Sequence, residues 1–213
     1  MRFSTPTAAV LAVMAASVAS VPTATPNLLE RSLPSVIAAS TARTKLASLT
    51  VATESNSPAY DRDLFNTWII ISGTCDAREY VLKRDGASVT TSSACAMTGG
   101  TWTSPYDGVV STNSSSFDID HIVPLKEAWV SGARSWTDAQ RETFANDVTR
   151  PQLLAVSASS NRSKGDSDPA EWLPTNTSYQ CTYVRAWVQV KDYYSLTIDS
   201  TEKTALTSIL SGC

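Results

Sequence analysis

Four cysteines, Cys75, Cys95, Cys181 and Cys213, constrain this chain more than any other feature. An even cysteine count in an exported chain reads as two disulfides, and the first residues carry an export signal. Arg2 gives a short positive start, Ala8 to Val18 is apolar, and Ser17-Val18-Ala19 offers small residues before a cut after Ala19. Three pairings are open. Cys75–Cys95 with Cys181–Cys213 is favoured, because each bond closes a local loop. A cysteine zinc site is disfavoured by the oxidising compartment and by the absence of any Cys-x-x-Cys.

Residues 1–19 are therefore expected to be a signal peptide. Residues 20–43, rich in Ala, Thr, Ser and Pro, read as a propeptide or flexible N-terminal arm, and residues 44–213 as one domain long enough to bury a core. No later run reaches the ~20 apolar residues of a membrane span, so a secreted, extracellular protein is expected, with no membrane partner and as a monomer. Of 17 basic residues, Arg2 lies in the signal; the other 16 against 20 acidic residues give a net of −4. Phosphate neutralisation carries most nonspecific nucleic-acid affinity. The acidic balance argues against a broad nucleic-acid footprint and leaves room for a small basic cleft.

Local patterns place the elements. Trp68 to Ile71 is an apolar run that fits helix or strand. Ser72 to Trp102 reads as a helix followed by a small hairpin with a turn at Asp85-Gly86. Phe117 to Ile122 is a short strand stopped by Pro124, and Leu125 to Val130 is one or two helical turns. Thr137 caps a helix over Asp138 to Asn146. Leu153 to Val156 is a second strand, and Asn161 stands at a Ser-rich helix entry. Tyr179 to Tyr194 has helical apolar spacing whose aromatics suit a core. Asp199 and Glu202 form a capping box for a last helix, Ser200 to Leu210.

The only histidine, His121, lies in Asp118-Ile119-Asp120-His121-Ile122-Val123-Pro124, and Asn161-Arg162-Ser163-Lys164-Gly165-Asp166 follows. Phosphodiester hydrolysis needs an attacking hydroxide, relief of charge at phosphate and help for the leaving oxygen. A neutral imidazole, with a reference pKa of ~6.5, can supply the first. A hard divalent ion, held by the Asp120 carboxylate and the Asn161 amide oxygen, can supply the others. Neighbouring residues on a strand face opposite ways, so Asp120 and His121 can serve one site only where the strand ends or twists. Asp118 shares the face of Asp120.

This pattern resembles the HNH, or ββα-metal, endonucleases. The likeness includes the HNH domains of RNA-guided CRISPR effectors and of GmrSD-type nucleases and, more closely, the small secreted HNH nucleases of fungi and bacteria. It extends to Tyr60-Asp61-Arg62-Asp63-Leu64-Phe65, Val81-Leu82-Lys83-Arg84-Asp85-Gly86, Pro105-Tyr106-Asp107-Gly108, Pro124-Leu125-Lys126-Glu127-Ala128-Trp129 and Phe144-Ala145-Asn146-Asp147. It implies an α+β fold: a ββα-metal core of a two-stranded antiparallel hairpin and a helix, surrounded by further helices and a disulfide-stapled segment. It implies His121 as general base and Asp120 with Asn161, opening the helix, as ligands of one divalent ion, Mg²⁺ first and Mn²⁺ or another as alternatives. The substrate implied is DNA, with RNA second, cut with little sequence preference. A bracing Asn common in such proteins is replaced by Gln152, whose longer amide implies looser positioning of the loop after His121.

Arg78, Lys126, Arg162 and Lys164 are further candidates for substrate phosphate, each also readable as a surface or ion-pair residue. Glu127 fits a role behind a metal ligand or a helix surface. Asn113, Asn161 and Asn176 each begin a glycosylation sequon, and a glycan on Asn161 would block its oxygen. The competing function class is a non-catalytic secreted binding or effector protein on the same scaffold, with His121 as a satisfied core residue. A serine hydrolase lacks its Gly-x-Ser-x-Gly elbow.

Overall fold

Helices open and close the described chain, and strands fill its middle. The structure is a computed structural model that describes Met1 and residues 33–213. The rest of the expected signal peptide, residues 2–19, and residues 20–32 lie outside the described residues. The first helix, α1 (Ala39–Ser48), buries Ala42 and Leu46. Leu33 is buried ahead of it, so ordered packing begins before the boundary read at residue 44, which falls inside α1.

Strands β1 (Ile70–Ser72) and β2 (Cys75–Asp76) form a small antiparallel pair. Helix α2 (Ala77–Asp85) starts at a capping box in which Asp76 and Glu79 satisfy each other's backbone. Strands β3 (Ala87–Thr91), β4 (Met97–Thr103) and β5 (Val110–Ser111) make an antiparallel sheet in that order. The turn into β3 needs Gly86, since a Cβ there would come within 2.6 Å of the Trp102 indole nitrogen. The helix-then-hairpin reading of residues 72–102 thus holds, and Cys75–Cys95 staples the segment.

The centre is a second hairpin. Strand β6 (Phe117–His121) precedes helices α3 (Leu125–Val130) and α4 (Asp138–Ala145). Strand β7 (Leu153–Ser157) returns antiparallel to β6, with Asp120 opposite Leu154 and His121 opposite Leu153. Both faces of this pair are covered. Phe117, Ile119, Leu153 and Ala155 pack with Ala77, Val81 and Trp102, while Leu154 and Val156 join the main helical core. Helix α5 (Ala158–Lys164) follows β7 directly, capped by Ser157. Asn161 is therefore in the middle of α5 rather than at its entry, because the serines before it already form the first turn.

Two long helices complete the fold, α6 (Thr177–Tyr193) and α7 (Ser200–Ser211), tied by Cys181–Cys213. The pairing is the local one favoured from spacing. At the start of α7 Asp199 accepts from Thr201 and Glu202 amides, but the Glu202 side chain does not close a capping box. It is buried and accepts from Trp187 and Lys191 instead. The architecture is α+β, with small antiparallel sheets and two disulfides.

Candidate active site

His121 closes β6, and the chain turns immediately after it. Gln152, fully buried, fixes that turn: its amide oxygen accepts from the Val123 N–H at 3.1 Å, its amide nitrogen donates to the Val123 carbonyl at 2.9 Å, and its own carbonyl accepts from Ile122 at 2.7 Å. The longer amide does not loosen the loop. It spans both polar groups of one residue.

The His121 Nε2 lies 2.8 Å from the Ala145 carbonyl at the end of α4. A carbonyl only accepts, so Nε2 carries the proton and Nδ1 keeps the lone pair. Burial pushes the imidazole pKa down to about 3; the Ala145 bond opposes this, and the nearby Arg62 and Lys164 cations add to it. The ring is therefore neutral at physiological pH. Trp68 stacks on it, with centroids 5.6 Å apart. Trp68 has φ +60°, a left-handed conformation that costs a bulky residue on the order of 1–2 kcal/mol. Asn146 holds this loop by accepting from Ile69 N–H at 3.2 Å and donating to Asn66 O at 2.7 Å. The end of α4 thus fixes both the histidine and its stacking partner.

Asp120, the residue before His121 on β6, is 4% exposed. Lys164 Nζ donates to both its oxygens, at 2.8 and 3.0 Å, and to the His121 carbonyl at 2.7 Å. The Tyr106 hydroxyl donates to Asp120 Oδ2 at 2.5 Å. Burial raises the Asp120 carboxyl and lowers the Lys164 ammonium, and their contact opposes both shifts. Asp107, beside Tyr106, accepts from Ser157 and Ser160 hydroxyls, which anchors the first turn of α5. Asn161 donates from Nδ2 to Asp118 Oδ2 at 3.3 Å. Its Oδ1 accepts no hydrogen bond from the described residues.

Asp120, His121 and Asn161 meet at one cleft of about 240 Å³, whose wall also includes Arg62, Arg162 and Asp166. The end of β6 thus allows neighbouring residues to serve one space. The donor set suits a hard divalent ion. Asn161 Oδ1 is uncommitted, and a carboxylate has about four acceptor sites, of which Lys164 and Tyr106 use three on Asp120. Two protein oxygens with water completing the shell is an arrangement Mg²⁺ accepts.

The four expected phosphate contacts fare differently. Arg162 is at the cleft, its side chain 78% exposed, with Asp118 3.7 Å away. Lys164 cannot fill that role: it is buried, and its three donors are spent on Asp120 and His121. Lys126 pairs with Asp166 at 3.7 Å and lines a neighbouring acidic groove. Arg78 donates to the Phe117 carbonyl, at the opposite end of β6 from His121. Glu127 is neither a surface residue nor behind a ligand; it is buried against Lys191 at 2.5 Å. In that acidic groove and beside it, ligand oxygens of Glu54, Asp168 and Asp199 lie within 4.8 Å of one another, an acidic group capable of holding a metal. Sequence reasoning missed Arg62, Tyr106 and Asp107 as parts of the site. Their only signal was their place in the segments on which the HNH resemblance was drawn.

A family model described as the C-terminal domain of GmrSD restriction endonucleases matches residues 76–209, more than half of the chain. The chain belongs to that family. Membership in the GmrSD C-terminal family makes it nuclease-related, and the match contains Asp120, His121, Gln152, Asn161 and Lys164. It begins after Arg62 and Trp68. A protein of Arthroderma benhamiae described as an uncharacterized secreted protein is 52% identical over 180 residues, covering 84% of this chain and 88% of that protein. No solved structure matches significantly. Among the described residues of this GmrSD-family chain, no helix is long and apolar enough to cross a membrane.

Proposed function

We propose that this GmrSD-family chain is a secreted, divalent-metal-dependent endonuclease with a ββα-metal core made of β6, β7 and α5. The observation that carries the reading is the state of His121. Its Nε2 proton is committed to Ala145, which leaves Nδ1 as the lone-pair nitrogen, and it shares one cleft with Asp120 and Asn161. The Nδ1 lone pair then takes a proton from the attacking water. Asp120 and Asn161 would hold one Mg²⁺ or Mn²⁺, which supplies charge relief at the phosphate and at the leaving oxygen. Lys164 and Tyr106 keep the Asp120 carboxylate oriented, and Gln152 keeps the histidine turn still. The cleft's exposed arginines suit backbone contacts, so DNA, with RNA second, is cut with little sequence preference. The secreted relative and the two disulfides support an extracellular place of action.

The test is plasmid DNA incubated with purified protein in Mg²⁺ or in EDTA. Cleavage that needs metal and vanishes in His121→Ala is expected. Equal cleavage by His121→Ala would sink the site. A second reading, a non-catalytic binding protein on this scaffold, draws support from the ion pair that already satisfies Asp120. It predicts no cleavage with any divalent ion.

A further inference from the structure

We propose that Arg62, which lies outside the span matched by the family model, is the cation that meets the scissile phosphate, with Arg162 of the same cleft wall as its partner. The inference rests on reading the cleft as a phosphodiesterase site. A phosphodiester needs cations that reach its non-bridging oxygens and are free to do so. Lys164 is buried and committed, Lys126 faces an acidic groove, and Arg78 sits at the far end of β6. Two basic side chains of the cleft wall remain, Arg62 and Arg162.

Arg62 is exposed and starts a single 3-10 turn, Arg62–Leu64. Its neighbour Asp61 caps that turn, accepting from the Asp63 N–H at 3.0 Å, and among the described residues no carboxylate forms an ion pair with Arg62 within 4.0 Å. Arg162 has only the 3.7 Å contact with Asp118. The guanidinium fork matches two phosphate oxygens at once, and two forks from separate segments grip a backbone without reading a base. The segment preceding β1 therefore completes a site whose chemistry is carried by β6 and α5.

The experiment compares wild type, Arg62→Ala, Arg62→Lys and the remote control Lys203→Ala. Binding to a short fluorescein-labelled DNA duplex is followed by anisotropy in EDTA over a salt series, and cleavage is followed in Mg²⁺. Loss of one charge-assisted contact predicts about 10- to 100-fold weaker binding and lower kcat/KM for Arg62→Ala. The slope of log K against log salt should fall by about 0.9. Arg62→Lys recovers the slope but only part of kcat/KM, and Lys203→Ala matches wild type. Wild-type binding, slope and cleavage in Arg62→Ala would overturn the proposal while leaving the nuclease reading intact. Wild-type protein that binds DNA through Arg62 yet cleaves nothing would overturn the nuclease reading and uphold the phosphate contact. Wild-type protein that does neither overturns both.

Discussion

Removing the Lys164 ammonium would leave the Asp120 carboxylate buried with only a tyrosine hydroxyl for a partner. Breaking one side of a buried pair costs about 3–5 kcal/mol, so Lys164→Met should lower urea-unfolding stability by that order, and Lys164→Met with Asp120→Asn should recover part of it. A loss below about 1 kcal/mol, the range of solvated surface pairs, would mean the pair is not buried in solution. The three sequons also separate at this scale. Asn161 and Asn176 spend their amide nitrogens on Asp118 and on the Pro105 carbonyl, whereas Asn113 is exposed and accepts through its oxygen alone. Glycopeptide mass spectrometry of protein secreted from a eukaryotic host should find a glycan on Asn113 and none on Asn161. A glycan at Asn161 would remove it from any metal role.

At the scale of elements, what was legible was what is local. The Thr137 cap, the Pro124 stop and the β6 and β7 runs are each written in a few consecutive residues, and the two disulfides each close a local loop. The contacts that organise the site are not. Lys164 finds Asp120 across 44 positions, and that depends on where α5 lands against β6. Lysine in a basic helix gave no sign of whether it would face water or the sheet. Glu202 had the spacing of a cap, but a buried ammonium 11 residues back outcompetes a surface amide for its carboxylate. The staples predict their own test. They span 20 and 32 positions, and constraint of the unfolded chain makes each contribute about 3–4 kcal/mol. Serine pairs replacing Cys75/Cys95 and Cys181/Cys213 should each lower the unfolding free energy by that order. No change in the denaturation midpoint for either pair would show that its closure adds nothing.

For the whole molecule, the buried group that joins α3, α6 and α7 sets the response to pH. Glu127 and Glu202 share the single ammonium of Lys191. Burial raises Glu127 to about 8 despite Lys191, and Glu202 is raised too; burial works against the Lys191 charge, but the two carboxylates outweigh it and raise that ammonium. A carboxyl whose folded pKa exceeds its unfolded value of about 4.5 favours the native state fully below that value, and the advantage is lost as pH rises through about 8. Thermal midpoints should therefore fall between about pH 5 and about pH 8, with a slope of at most about 1.4 kcal/mol per pH unit for this proton. Glu127→Gln should flatten the decline; an unchanged profile would assign the titration elsewhere. The hairpin of β6 and β7 has a different kind of consequence. Covered on both faces, it has almost no residue that can change without disturbing a core, while Arg62 and Arg162 stand exposed on a short turn and a helix end. A substitution therefore costs different things in the two places: stability at the packed centre, and grip on a phosphate at the walls, where the fold itself is undisturbed.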